Sequence, residues 1–231
     1  MRSLIQDRAG VTGTRPARTR SVAPDATSRA ELYARPMDRP TSDHGAATLA
    51  YVINVSLDGF VEDANGSIDW TAPSDEVVAF ITDLIRPVGT YLYGRRLYET
   101  MSFWESDPTL ATRSASMADF AGVWRAANKH VFSTTLPEVS TTHTRLERRF
   151  DPESIRALKA SSARDLTIGG PSLAAQAFRA GLVDECRLFI HPVIVGGGKP
   201  AFPGNTRASL TLLGQHRFDC GVVYLTLRVE H

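Results

Sequence analysis

A chain of 231 residues, 42% hydrophobic and 22% charged, has material for one large domain with a real core and the balance of an ordinary soluble protein. A formal net charge of +1 removes the usual reason to expect nucleic acid or another polyanion as partner. No apolar run approaches bilayer length, so no membrane partner is expected. The two cysteines, Cys186 and Cys220, lack metal-ligand spacing and read as buried small hydrophobes in a reducing cytoplasm; no metal is expected.

Residues 1–45 carry arginines from Arg2 to Arg39, five acids, no lysine and few apolar residues without period, which predicts a disordered leader. It has no secretory core, its acids argue against a transit peptide, and Met37 is a possible true start. The pattern changes from residue 46 onward, which reads as one domain.

Residues 48–56 read as a strand apolar on both faces, as in mid-sheet. A loop over 57–70 is marked by Asp58-Gly59 and Asn65-Gly66. Ser74 opens a helix to 86, with Asp75 and Glu76 in the first turn and Val77, Val78, Ile81, Leu84 and Ile85 along one side. A strand over 90–93 leads into a helix over 95–103, then a polar stretch over 105–114 and a helix near 117–126. Strands follow at 129–133 and 141–146, and a helix at 152–160 begins with Asp151 as cap and Pro152 in its first turn. Then come a strand over 166–168, a helix over 173–180 closed by Gly181, a long strand over 186–195, and a hairpin of 210–218 with 222–229. Alternating strands and helices ending in a hairpin predict an α/β sandwich: a mostly parallel central sheet, an antiparallel edge and helices on both faces.

In such a sheet, ligands lie beyond the carboxyl ends of the strands. Gly169-Gly170 would turn sharply from strand to helix, exposing bare backbone N–H groups at a helix N-terminus. Gly94-Arg95-Arg96 offers a close-approach glycine and guanidinium groups, and Ser133-Thr134-Thr135 offers hydroxyls with Lys129 nearby. Each alone is ordinary turn chemistry; together they could serve the separated phosphates of a dinucleotide. The loop over 196–200 lacks the spacing of a P-loop and reads as a glycine-rich border to the same pocket. His191, ahead of Pro192, reads as structural.

From about Ala47 onward the chain resembles the dihydrofolate reductase-like family, and most of all the reductase half of the bifunctional riboflavin-biosynthesis enzyme. The matching segments are Ser56-Leu-Asp-Gly, Gly94-Arg-Arg-Leu-Tyr-Glu, Val131-Phe-Ser-Thr-Thr-Leu, Ile168-Gly-Gly-Pro-Ser-Leu and Gly181-Leu-Val-Asp-Glu before Pro192-Val-Ile-Val-Gly-Gly-Gly. The resemblance implies a dihydrofolate reductase-like three-layer fold, NADPH as hydride donor, a small heterocyclic or C=N substrate such as a pterin or a riboflavin-pathway pyrimidine, and a homodimer. By position it assigns Gly94, Arg95 and Arg96 to a phosphate motif, and Ser133 and Thr134 to the adenosine 2′-phosphate. Gly169, Gly170, Ser172 and Leu173 would form the pyrophosphate turn, with Val61 beside the nicotinamide. Leu97 departs from the family's usual threonine and removes a hydroxyl.

Trp70-Thr-Ala-Pro-Ser-Asp75 resembles the segment whose aspartate assists protonation in dihydrofolate reductases. Asp75 is therefore either a catalytic acid or a carboxylate at a helix N-terminus. Asp58 is likewise either catalytic or a turn former before Gly59. Asp107-Pro-Thr-Leu-Ala-Thr-Arg113 resembles the segment that holds a substrate ribose phosphate, and Trp104 could line a flat-ring pocket. The zinc motifs of the deaminase half do not occur. The alternative is a non-catalytic NADP-binding or interaction protein that keeps the fold.

Overall fold

The computed structural model describes residues 46–231 apart from 203, 205 and 206; the expectation for residues 1–45 lies outside the described residues. Its centre is an eight-stranded sheet in the order β5-β4-β3-β6-β1-β7-β10-β9. The strands are β1 (Leu49–Ser56), β3 (Thr90–Gly94), β4 (Asn128–Phe132), β5 (Thr144–Glu147), β6 (Leu166–Gly169), β7 (Glu185–His191), β9 (Ser209–Arg217) and β10 (Val223–Glu230). Six run parallel, and the β10–β9 hairpin adds antiparallel to β7. This is the predicted α/β architecture.

Helices α1 (Asp75–Ile85) and α5 (Ala115–Ala126) cover one face. There Trp124, Tyr91 and Val131 are fully out of solvent. Helices α6 (Pro152–Ser161) and α7 (Pro171–Arg179) cover the other, packing Ile155, Leu173 and Ala174 on Leu92, Leu166 and Ile168. The alternation of Tyr91, Leu92 and Tyr93 between the two cores is the strand period of two made visible. Each buried Leu, Ile or Val contributes about 1.5–3 kcal/mol of transfer free energy.

Several expectations are corrected. The helix foreseen over 95–103 breaks at Ser102 into α2 (Arg95–Met101) and α3 (Phe103–Ser106), and the polar stretch after it holds α4 (Pro108–Ala111), capped by Asp107. The strand foreseen to 195 ends at His191, because Pro192 has no N–H to offer a ladder. The 57–70 loop contains β2 (Phe60–Glu62), which pairs with β8 (Lys199–Pro200) as a two-stranded flap. Cys186 is buried as expected, its thiol pushed up to about 12 by desolvation, but Cys220 is exposed in the terminal hairpin turn.

Lys129 does not stand beside the hydroxyls. It lies at the opposite, amino-terminal end of β4, fully buried. Its Nζ donates to the carbonyls of Trp124 (3.1 Å) and Ala127 (2.9 Å) and sits 4.4 Å from the Trp124 ring centroid. The ammonium thus satisfies the orphan carbonyls ending α5, while desolvation lowers its pKa from 10.5 to about 8. With the folded value depressed, the unfolded chain binds more protons between these limits. The group's contribution is therefore greatest above the unfolded value and is lost as pH falls through the folded one. Urea denaturation should show the wild type gaining stability relative to Lys129→Met between about pH 8 and about pH 10; a constant or shrinking difference contradicts this placement.

Candidate functional site

Parallel pairing brings three strand ends to one level. Tyr93 is registered with Gly169, and Gly94 with Phe132, so the turns after β3, β4 and β6 emerge side by side. They open onto a cleft of about 680 Å³. Gly94, Arg95 and Arg96 line it from β3 and α2, Ser133 and Thr134 from the end of β4, and Gly170, Ser172 and Leu173 from the start of α7. Those eight predicted residues are brought together.

The backbone explains the glycines. Gly170 caps α7 at φ 85°, a left-handed conformation that disfavours any side chain, and Pro171 begins the helix where no N–H is needed. The N–H groups of Ser172 and Leu173 then belong to an uncapped first turn facing the cleft. A Cβ on Gly169 would run into Leu97 Cδ2, because Leu97 lies directly on that strand end. Leu97 in place of a threonine therefore trades a hydroxyl for apolar closure over Gly169.

Sequence reasoning missed Arg148, Arg149, Phe150 and Gln176, which complete the wall from β5 and α7. Arg148 donates to the Leu136 carbonyl at 2.6 Å and the Pro137 carbonyl at 3.2 Å, holding the 133–137 turn. Ser133 Oγ accepts from the N–H groups of Thr135 (3.2 Å) and Leu136 (2.9 Å), so its oxygen is committed to that turn. Arg95 is held by Glu99 (2.7 Å) and Thr135 (2.9 Å). Arg96 reaches Glu62 of the flap at 3.5 Å with 79% of its side chain exposed. Arg149 makes no hydrogen bond among the described residues. Lys199 of the flap closes one side, in keeping with the expected border role of its glycine-rich loop. Five cations face one cleft; Arg149 and Lys199 make no side-chain hydrogen bond or ion pair among the described residues, and Arg96 has only its 3.5 Å contact with Glu62.

The remaining candidates stand elsewhere. Val61 is buried in the core beside the sheet and does not line the cleft. Asp75 occupies the first turn of α1 and accepts from Ser114 Oγ at 2.8 Å, the cap of α5. Trp104 packs on Phe120 with ring centroids 4.6 Å apart. Asp107 caps α4, its carboxyl held below the ordinary range by the Thr109 hydroxyl, and neither it nor Arg113 lines the cleft.

Asp58 is a clamp. It accepts from Ser56 Oγ (2.7 Å) and from the N–H groups of Val195 (3.2 Å) and Gly196 (2.8 Å). The Ser56 hydroxyl, then the Gly196 and Val195 amides, hold its carboxyl below the usual range, the reverse of what a proton donor requires. It ties the β1 turn to the loop carrying Lys199. Asp58→Ala should accelerate amide exchange at Val195 and Gly196 by roughly tenfold or more. Unchanged exchange at both amides would remove the clamp.

Comparison with known proteins agrees with this fold. Residues 47–224 match the family model described as RibD C-terminal domain. The uncharacterized protein YyaP of Bacillus subtilis (strain 168) is 32% identical over 179 residues, covering 74% of this chain and 89% of its own. A putative riboflavin biosynthesis protein from Shewanella sp. PV-4 superposes with TM-score 0.63 at 20% identity, over 80% of this chain and 99% of that one. A diaminohydroxyphosphoribosylaminopyrimidine deaminase/5-amino-6-(5-phosphoribosylamino)uracil reductase from Thermotoga maritima superposes with TM-score 0.53 at 14% identity, over 80% of this chain and 57% of that one. At these identities the two solved structures share the fold.

Proposed function

The chain belongs to the RibD C-terminal domain family, and we propose that it is a reductase that uses NADPH to reduce a small nitrogen heterocycle or C=N bond. The observation that carries this reading is the cleft: two strand-to-helix glycine turns and a hydroxyl-bearing turn, side by side, beneath five cations. That donor set fits a dinucleotide. The N–H groups of Ser172 and Leu173 suit a pyrophosphate, Gly94 and Gly170 let its oxygens approach backbone, and Arg96, Arg149 and Thr134 suit a ribose phosphate. The structurally similar Thermotoga maritima protein is a deaminase/reductase, which supports the same reaction class.

The bound coenzyme supplies a hydride; this chain's residues bind, orient and exclude water. Neither Asp58 nor Asp75 lines the cleft, so neither is assigned the proton that must accompany hydride addition. A binding protein without turnover would give nucleotide affinity and no oxidation of NADPH across a panel of pterins and pyrimidines.

Fluorescence titration separates the cations. Arg96→Ala and Arg149→Ala should each weaken NADPH by about tenfold or more and NADH by far less, since a guanidinium–phosphate contact is lost only with the former. Arg148→Ala should weaken both alike, because it supports a turn. Equal losses for both nucleotides in the first two variants would refute the ribose-phosphate assignment, and no binding of either nucleotide to the wild type would end the proposal.

A further inference from the structure

At the opposite, amino-terminal end of the sheet a second cavity of about 680 Å³ opens among β3, β4, β5 and the end of α6. Strand β4 alternates between faces there. Lys129 and Val131 turn toward α5, while Asn128, His130 and Phe132 turn toward α6. Register sets Arg145 of β5 beside His130, so both stand on the α6 face, where they line the cavity with Asn128. His143, just before β5, and Arg164, just before β6, line it from either side.

Among the described residues no aspartate or glutamate lines this cavity. Arg164 is its fixed cation. Nε donates to the Pro87 carbonyl at 2.9 Å and Nη2 to the Arg86 carbonyl, both neutral acceptors, so the charge keeps no acid partner there and the Nη1 hydrogens stay unused. Gly89 makes room for it, because a Cβ there would stand 2.9 Å from Arg164 Cβ. Arg145, 73% exposed, gives Nε to Glu147 at 2.8 Å and leaves its two Nη groups over. The same Glu147 oxygen stands 3.7 Å from His130 Nδ1, beyond hydrogen-bond reach. Asn128 and His143 make no side-chain hydrogen bond among the described residues. His143 also takes φ 53°, which glycine or asparagine adopts at less cost, and the Lys129 N–H pins its carbonyl at 2.8 Å. The C-terminus of α6 would repel an anion, but the Ser161 and Ser162 hydroxyls donate to its Ala157 (2.9 Å) and Leu158 (2.6 Å) carbonyls.

We propose that this cavity binds a small phosphate monoester with a hydroxylated body, such as a sugar phosphate, between Arg164, Arg145 and the imidazoles of His130 and His143. A phosphate's three terminal oxygens point in three directions and suit donors that arrive from the β6 entry, β4 and β5; a carboxylate's two lie in one plane. The volume exceeds what an inorganic ion fills, and the Asn128 amide offers a hydroxyl both donor and acceptor. The site shares no lining residue with the nucleotide cleft, so each stands or falls without the other.

The probe is glucose 6-phosphate, titrated by calorimetry against glucose and against inorganic phosphate. It should bind about tenfold or more tightly than either. Hydrogen–deuterium exchange with the probe should show protection at 128–130, 143–145 and 163–165, and none at 94–97 or 169–173. Arg145→Gln and His143→Asn, the second keeping a residue at home in the left-handed conformation, should each weaken the probe by roughly fivefold. Arg149→Ala, in the nucleotide cleft, should leave it unchanged. Melting temperatures establish that the variants fold, and a misfolded His143→Asn leaves Arg145→Gln to decide. No binding, protection at 94–97 and 169–173 instead, a loss in Arg149→Ala, or an unchanged affinity in Arg145→Gln overturns the inference. Inorganic phosphate binding as tightly as the probe overturns it too, because an ion alone then suffices. The probe behaving as described while NADPH fails to bind upholds this site and ends only the cofactor reading.

Discussion

The in-register parallel pairing of β3 with β4 and β6 is the constraint on which the site depends. Parallel strands send every carboxyl end to the same rim, and the register decides how high each one stands. Here Tyr93 beside Gly169, and Gly94 beside Phe132, stop three strands at one level. The turns then emerge as neighbours, and groups distant in sequence become a single cleft. A slip of one residue in any of these ladders would reverse which face each side chain meets and stagger the turns. The two cores that clamp the sheet, Tyr91 and Trp124 against one face and Leu92, Ile168 and Leu173 against the other, oppose such a slip.

What could be read from the residues alone follows from which forces leave a local signature. Gly169 and Gly170 were legible because backbone geometry demands glycine where a chain turns at positive φ or where another side chain must lie on it. Gly170 answers the first demand and Gly169, beneath Leu97, the second. The strands and most helices were legible because burial writes periods of two and 3.6 into apolar residues. Arg148 and Arg149 were not: an arginine pair after a short strand looks like solvated surface, and only the fold shows that β5 delivers it to the cleft. The β2–β8 flap was equally silent, since strands of three and two residues are too short to carry a period. Lys129 misled for the opposite reason. A lysine near hydroxyls suggests a ligand, yet its ammonium is spent on the carbonyls that end α5.

The acids teach a related lesson about commitment. Asp58 and Asp75 have the residue type that reduction chemistry could use, but each already accepts hydrogen bonds that organise a loop or join two helices. A side chain's chemistry is available only where the fold has not used it. By that standard the groups of the cleft left over are Arg149 and Lys199, which make no side-chain hydrogen bond or ion pair among the described residues, and Arg96, held only by its 3.5 Å contact with Glu62.

Hydrogen–deuterium exchange with and without NADPH tests the convergence of the rim most directly, because it reports on separate segments in one experiment. The account predicts simultaneous protection of amides in three stretches, 94–97, 133–136 and 169–173, with little change at 128–130 and 143–145 at the opposite end of the sheet. Protection confined to one stretch, or appearing at that opposite end instead, would contradict it.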